Sequence, residues 1–386
     1  MLVASIVLAI CALASPAGAV ASDPLAGRGM WIWYLSASNH GRPGSIVASA
    51  RRYGISTVII KSGDGTTFWS QFNTRLVSRL RAGGLRVCAW QYVYGRHPVA
   101  EASIGAAAVR DGANCLVVDA EGEYQGRYIQ AQTYFRSLRR LVGATYPVAF
   151  AGLPYVDYHP GFPYSVFLGP GGAQYNAPQM YWIDIGTSVG QVFAHTYAFN
   201  VPYGRPIAPI GQLYGKPTIS QIVRFRALSR LYGAAGVSWW DWAWAGATRT
   251  GWRSVSRPVG SLGALRSILV AAIRRRARGD LVVWAQEHLI SAGYRIPVDG
   301  AFGPETVAAV KGFQRRHGLS ADGVVGGETW RALLRYPTAL VRWTRRGARI
   351  ASAAGSSLTM PVPQSASLPG RRNEIAPVGR ADGVDG

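Results

Sequence analysis

The 386-residue sequence predicts an α/β (β/α)8 barrel of the TIM type followed by a small all-α domain of three helices. Three observations carry this expectation. Eight apolar strand-like runs fall between Gly29 and Trp242 and alternate with stretches of helical spacing. The run Leu116-Val117-Val118-Asp119-Ala120-Glu121 ends in two acids at i and i+2, where a barrel gathers its chemistry. Downstream, the pattern D-G-x-x-G-x-E-T occurs twice, offset by 23 residues, with a helical stretch before each copy.

Taken in order, residues 1–21 read as a secretory signal peptide. Leu2–Ala14 is apolar but too short to span a membrane, and Ala17-Gly18-Ala19 and Ala19-Val20-Ala21 fit the small-residue cleavage pattern. The mature chain is therefore expected to be exported, to the cell wall or the medium, without a membrane span.

Residues 28–244 form the barrel. Its strand candidates are Met30–Tyr34, Thr57–Lys61, Arg86–Val93, Cys115–Glu121, Pro147–Leu153, Ala177–Trp182, Pro206–Gln212 and Gly236–Trp242. Helical patterns such as Ser45–Tyr53, Trp69–Ala82, Arg127–Val142 and Ile219–Leu231 fill most intervals. The interval Pro154–Gln174 is rich in Pro, Gly and Tyr and has the weakest helical pattern. An open doubly wound sheet is the competing arrangement, but no G-x-G-x-x-G turn follows the first strand. Cys88 and Cys115 fall on consecutive strands. A disulfide is conceivable there in an oxidising compartment, and two small buried thiols is the simpler reading.

Side chains two apart on a strand share a face, with Cα atoms roughly 6–7 Å apart, so Asp119 and Glu121 stand together. The strand ends also bring Trp33, Gln91, Gln179, Tyr181, Asp184, Trp239 and Asp241. Aromatic faces stack on sugar rings while amides and acids bond hydroxyls. The expected chemistry is glycoside hydrolysis: Glu121, with the longer reach, as acid, and Asp119 as the carboxylate that steadies the sugar cation or orients an acetamido group. Tyr181 or Asp184 would position the substrate. No metal-ligand spacing of Cys or His appears and no cofactor is called for. Glu123 is expected to cap a helix or meet an arginine.

Residues 245–279 turn basic, ending in Arg274-Arg275-Arg276-Ala277-Arg278. Leu262–Ala277 has helical spacing, which leaves open a basic helix or a looser linker. The whole chain carries 41 basic against 19 acidic residues, a net charge of +22, and only Lys61, Lys216 and Lys311 are lysines. Such a surplus implies an anionic partner. Without clustered arginines or a phosphate loop at the strand ends, nucleic acid is not the expected one, and anionic wall polymers are a partner class the charge admits.

Residues 280–336 hold the repeated element. In each copy Asp-Gly makes a tight turn, and the Glu falls where the helix dipole favours an acid. Pro304 fits the first helical position. From residue 337 the periodicity fades into Ser, Pro, Gly and Arg, and 337–386 is expected to be mostly disordered.

Two resemblances follow from these residues. Asp119-Ala120-Glu121 at strand four resembles the Asp-x-Glu of family 18 chitinase-like enzymes and family 25 lysozymes. Gln179-Met180-Tyr181 and Ser238-Trp239-Trp240-Asp241 are similar in flavour to the former's strands six and eight. The two acids that precede the pair in family 18 are Asn114 and Val117 here, and the lysozyme family's strand-one Asp is replaced by Trp33 and Tyr34. The 280–336 segment, with both Asp-Gly loops, Phe313-Gln314 and Gly318-Leu319, closely resembles the peptidoglycan-binding domain of cell-wall hydrolases. That resemblance implies peptidoglycan as partner, with Asp299, Phe302, Gln314 and Asp322 contributing to its groove. Two functions stay open: a secreted enzyme that cuts wall or related amino-sugar glycan, and a non-catalytic peptidoglycan-binding scaffold on a degenerate barrel.

Overall fold

The computed structural model describes residues 23–247, 251–260, 262–265 and 267–350. The expected signal peptide lies outside them, as does everything after residue 350.

Eight parallel strands form the barrel wall: β1 Arg28–Ile32, β2 Thr57–Asp64, β4 Arg86–Tyr92, β5 Cys115–Asp119, β6 Val148–Gly152, β7 Tyr175–Pro178, β8 Ile210–Gln212 and β9 Val237–Trp240. A two-residue strand, β3 Thr67–Phe68, folds back on β2. The ladder runs continuously from β7 through β5, β2 and β1 to β8, and two parallel bridges, Asn176 to Ile207 and Gln179 to Ile210, draw β7 and β8 together. The barrel is thus near-closed.

Strand parity decides which residues reach the interior. Trp31, Ile59, Cys88, Trp90, Val117 and Ile210 pack together inside the barrel. Their neighbours Ile32, Ile60, Val87, Val118 and Phe150 turn outward into the layer under the helices. Cys88 and Cys115 are register partners on β4 and β5, with Cα atoms 4.6 Å apart, and form a disulfide within the barrel. The simpler expectation of two thiols is replaced by this bridge, because both cysteines share the inward parity.

The covering helices are α1 Pro43–Tyr53, α2 Thr74–Ala82, α3 Pro98–Arg110, α4 Tyr128–Val142, α5 Tyr164–Phe167, α6 Val189–Asn200 and α7 Ile219–Leu231. Local chemistry sets their ends. Pro43 opens α1 and Gly54, at φ 66°, closes it, while Ser188 with Gln191 and Thr218 with Gln221 form capping boxes on α6 and α7. Two short helices follow β9, α8 Trp242–Ala247 and α9 Gly251–Ser256, and Trp252 of α9 stacks on Tyr53 of α1 at 5.0 Å.

Between β6 and β7 the helical layer is thin, since α5 has only four residues. The gap is filled from outside the barrel sequence. Helix α10, Asp280–Ser291, lies against α5 and is buried continuously from Asp280 to Leu289. Its Trp284 donates its indole N–H to the Pro202 carbonyl at 2.7 Å and packs on Tyr203. Asp280, fully buried, accepts the Tyr128 hydroxyl at 2.9 Å, the Ser165 hydroxyl and backbone N–H at 2.7 Å each, and the Tyr203 hydroxyl at 2.9 Å. Helices α11 Pro304–Arg316 and α12 Gly327–Leu333 complete the three-helix unit, so α10 belongs to both parts of the molecule.

Two expectations change here. The described residues of 262–277 hold no helix. Their backbone groups are drawn out instead to neighbours: Ala271 N–H to Ala198, Ile273 and Val325 to each other, and Arg276 N–H to Phe302. Nor is the region after 337 uniformly irregular. β10 Val341–Thr344 and β11 Gly347–Ile350 pair as an antiparallel hairpin, with Trp343 packed 4.2 Å from Tyr128 and bonded through its N–H to Gln132. Among the described residues no helix is long and apolar enough to cross a membrane.

Candidate active site

β5 delivers the acid pair as the sequence implies. Asp119 is its last residue and is buried, and Glu121, past a short link, is half-buried beside it. β7 brings the shared partner. Gln179 donates from a single nitrogen, Nε2, to Asp119 Oδ1 at 2.8 Å and to Glu121 Oε1 at 2.9 Å. One amide thus fixes both carboxylates in register.

The electrostatics follow from burial. Asp119 is pushed well above the usual carboxylate range by desolvation first, then by the charge of Glu121, with Lys61 opposing. Glu121 is also raised, by desolvation, while the Gln179 hydrogen bond pulls it back and Glu123 adds to the rise. Two interacting acids titrate as a pair, and this one keeps a proton to higher pH than an isolated carboxyl would. Glu121 is the member nearer solvent. Asp119 is the member that feels the Lys61 cation.

Lys61 itself is buried within β2, three residues before the strand ends at Asp64. Its Nζ lies 2.6 Å from Asp64 Oδ2, and 4.5, 4.6 and 5.2 Å from the ring centres of Trp90, Trp69 and Trp33. Tyr94 donates to the other Asp64 oxygen at 2.8 Å, and Tyr92 donates to Glu123 at 2.8 Å. Glu123 therefore meets a tyrosine rather than the expected cap or arginine.

Aromatic side chains wall the mouth. Trp33, Trp90 and Trp240 meet at centroid distances of 5.4–6.5 Å, and Trp33 stacks flat on Tyr34, which is 51% exposed. Across the mouth Tyr181 is buried edge-on to Tyr214 at 5.6 Å. Burial raises the Tyr181 phenol, as do Tyr214, Asp119, Glu121 and Asp184, so it stays a neutral donor beside the acids. The exposed Asp184 accepts the Tyr214 hydroxyl.

Asp119, Glu121, Gln179, Tyr181 and Trp33 therefore converge, with Asp184 at the rim. Two other expected residues do not reach the mouth. Gln91 faces the helical layer, where its amide donates to the Gly65 and Glu101 carbonyls at 3.0 and 2.7 Å. Trp239 also points outward, against Phe225 at 5.1 Å. In both cases the sequence neighbour, Tyr92 or Trp240, has the inward parity. Asp241 is buried at the strand end and engaged by backbone N–H groups of Trp244, Ala243 and Trp33; burial raises it to about 6. It serves to join the ends of β1 and β9. The Lys61–Asp64–Tyr94 group, Trp69 and Tyr214 were not singled out as site residues. Of these only Lys61 left a signal, as a lone lysine at a strand end.

In the C-terminal unit the repeat is visible as paired hydrogen-bond sets. Gln286 Nε2 donates to Asp299 Oδ1 at 2.8 Å and its Oε1 accepts from the Asp299 and Gly300 N–H groups. Gln314 repeats this on the second loop, donating to Asp322 Oδ1 at 2.8 Å and accepting from Gly323 N–H. Phe302 is core. Of the four expected groove residues, Asp299, Phe302 and Gln314 thus hold the loops together from within, and Asp322 is bonded at the exposed surface. Among the described residues no group of three His, Cys, Asp or Glu could hold a metal ion.

Comparison with known proteins assigns the second unit. Residues 278–333 match the family model of a putative peptidoglycan-binding domain. A probable N-acetylmuramoyl-L-alanine amidase of Bacillus licheniformis is 33% identical over 116 residues, which cover 29% of this chain and 29% of that protein. The chain thus matches less than a third of the length of that curated relative. A crystal structure of a peptidoglycan-binding protein from Clostridioides difficile is similar at 43% identity over 16% of this chain and 40% of the other, with a TM-score of 0.16. A fungal endo-β-N-acetylglucosaminidase of glycosyl hydrolase family 18 aligns over 60% of this chain and 99% of its own, at 14% identity and a TM-score of 0.44.

Proposed function

We propose that this chain is an exported, cell-wall-associated hydrolase that binds peptidoglycan through its C-terminal unit and cleaves a wall or related amino-sugar glycan at the barrel mouth. The observation that carries the reading is the Gln179 amide shared by Asp119 and Glu121. Glycoside hydrolysis needs two carboxyl groups on one site, one able to give a proton and one ionised. Glu121, half-buried at the mouth and raised by desolvation, gives its proton to the leaving oxygen. Asp119, whose rise by burial the Lys61 cation opposes, is the member that must give up its proton to stabilise the sugar cation or orient an acetamido group. Tyr181 donates to the substrate, and Trp33 with Tyr34 offers flat faces for sugar rings. No cofactor is required.

The burial of Asp119 at 5% exposure favours a second reading, in which the barrel binds glycan without cutting it. Release of soluble fragments from purified peptidoglycan by the unaltered chain, Glu121→Gln and Asp119→Asn separates the two. New reducing ends that vanish in Glu121→Gln support hydrolysis. Binding to the wall with no release across pH 4–8, on chitin oligomers as well, supports the scaffold.

A further inference from the structure

The arginine run ahead of α10 is not a loose linker. Ile273 and Val325 exchange backbone hydrogen bonds at 3.2 and 2.9 Å, which fastens the run to the second Asp-Gly loop. Arg276 N–H donates to the Phe302 carbonyl, Phe302 N–H to the Ala277 carbonyl and Gly279 N–H to the Gly300 carbonyl, at 2.9–3.1 Å, which fastens it to the first. Between these anchors the chain turns at Arg275 and Arg276, the latter at φ 76°.

Arg274, Arg275, Arg276 and Arg278 all leave this fixed edge into solvent. Among the described residues the ion pairs are Lys61–Asp64 and His195–Asp157, and none of the four guanidiniums meets a carboxylate or a hydrogen-bond acceptor. A chain with a net charge of +22 thus presents four unneutralised cations within five residues, on a backbone already ordered. Ordering them beforehand removes part of the entropic cost of binding.

We propose that this edge binds a phosphodiester-linked polyanion of the wall, next to the loops of the peptidoglycan-binding unit. Guanidinium forks match phosphate oxygens bidentately. Closely spaced cations suit a polymer with charge at every repeat better than the isolated carboxylates of a peptide stem. The inference rests on the wall address proposed above and adds a second wall ligand to it.

The test compares the full chain with a variant carrying Arg274→Gln, Arg275→Gln, Arg276→Gln and Arg278→Gln. Both are titrated against purified wall that bears the polymer, the same wall after its phosphate polymer is extracted with acid, soluble polyphosphate, and a DNA duplex. The unaltered chain should bind the phosphate-bearing wall about 10-fold or more tighter than the extracted wall, with a salt slope steeper by roughly 3 on logarithmic axes. The variant should lose that preference and match the unaltered chain on extracted wall. Binding to the extracted wall tests the wall address separately. The proposal is overturned if the unaltered chain shows no preference, if the variant keeps it, if the loss is equally large on extracted wall, or if the DNA duplex outcompetes wall polymer at equal phosphate.

Discussion

Asp280 and Tyr128 are joined by a hydrogen bond of 2.9 Å between residues 152 apart in sequence, one opening the first helix of the C-terminal unit and the other opening a barrel helix. Around this contact α10 takes the place that a full helix between β6 and β7 would occupy. The barrel and the wall-binding unit are therefore expected to fold as one body. A fragment ending at residue 256 would uncover Tyr164, Phe167 and Tyr203, and each large side chain left bare forfeits about 1.5–3 kcal/mol. It should aggregate or melt well below the full chain. A monomeric fragment with the melting temperature of the full chain, by size exclusion and calorimetry, would count against the shared helix.

Asp280 also sets a pH dependence. Burial raises it to about 6 in the folded protein, against an ordinary value of 3.8. A carboxyl whose folded pKa is raised contributes stability below its unfolded pKa and loses it as pH rises through the folded one. The window is thus pH 4 to 6, and the shift corresponds to about 3 kcal/mol. Asp280→Asn removes the titration. The gain in stability on acidifying from pH 7 to 4 should shrink by roughly that amount, read from denaturant curves at each pH. An unchanged slope would mean the carboxyl is not desolvated.

The sequence made the eight strands legible because most have an apolar centre between turn residues, although β7, Tyr175–Pro178, begins two residues ahead of the expected Ala177–Trp182 and ends well short of it. It also flagged Pro154–Gln174 as the weak interval, which is where the helical layer proves incomplete. What covers that interval was not legible, since nothing local in Asp280–Leu289 marks its polar residues Gln286, Glu287 and His288 as buried. The helical spacing of Leu262–Ala277 was real but lost to the edge bonds that the Asp-Gly loops offer. The hairpin at 341–350 did leave a signal, the alternation of Val341, Trp343 and the Arg-Gly turn, and it is short enough to pass for irregular chain.

Gln179 is the residue whose loss should be most telling at the site. Gln179→Met keeps the length and removes the amide that both acids share. A hydrogen bond to a charged group contributes about 1.5–3 kcal/mol, so fragment release should fall on the order of 10- to 100-fold. Because the Gln179 bond holds Glu121 down, its removal lets the acid rise further, and the pH profile should move upward as a whole. A fall in rate with the profile unmoved would assign Gln179 to substrate contact alone.

The site was legible at the level of strand ends and illegible at the level of parity. Asp119 and Glu121 were placed together because an i, i+2 pair keeps its face whichever face that is. Gln91 and Trp239 were misassigned because Gln91-Tyr92 and Trp239-Trp240 offer two suitable side chains in succession, and only the barrel's closure decides which turns inward. Lys61 and Asp64 lie three apart on β2, where strand alternation puts them on opposite faces and only a register irregularity between Lys61 and Gly63 lets them meet, and Tyr94 follows β4, so no spacing rule joins the three.

The two glutamine-bound loops of the C-terminal unit should fail in different ways. Gln314 is buried on α11 and bonds through its side chain to the second loop at Asp322, Gly323 and Val324 and to Thr329 of the α12 that follows it. Gln314→Ala leaves the buried Gly323 N–H without its acceptor and removes the amide that ties Asp322 to Val324, at a cost of about 1–3 kcal/mol, and should weaken wall binding while leaving glycan release from soluble oligomers unchanged. Gln286 makes the equivalent contacts to the first loop, through Asp299, Gly300, Ala301 and Thr306, but from α10, the helix that also covers the barrel. Gln286→Ala should therefore lower both wall binding and the cooperative melting of the whole chain. Gly323→Ala gives an independent check on the second loop, since Gly323 sits at φ 79° and an added Cβ would meet Lys311 Cε at 3.1 Å. It should reproduce the Gln314→Ala phenotype. Equal effects of Gln314→Ala and Gln286→Ala on barrel melting would show that the coupling does not run through α10.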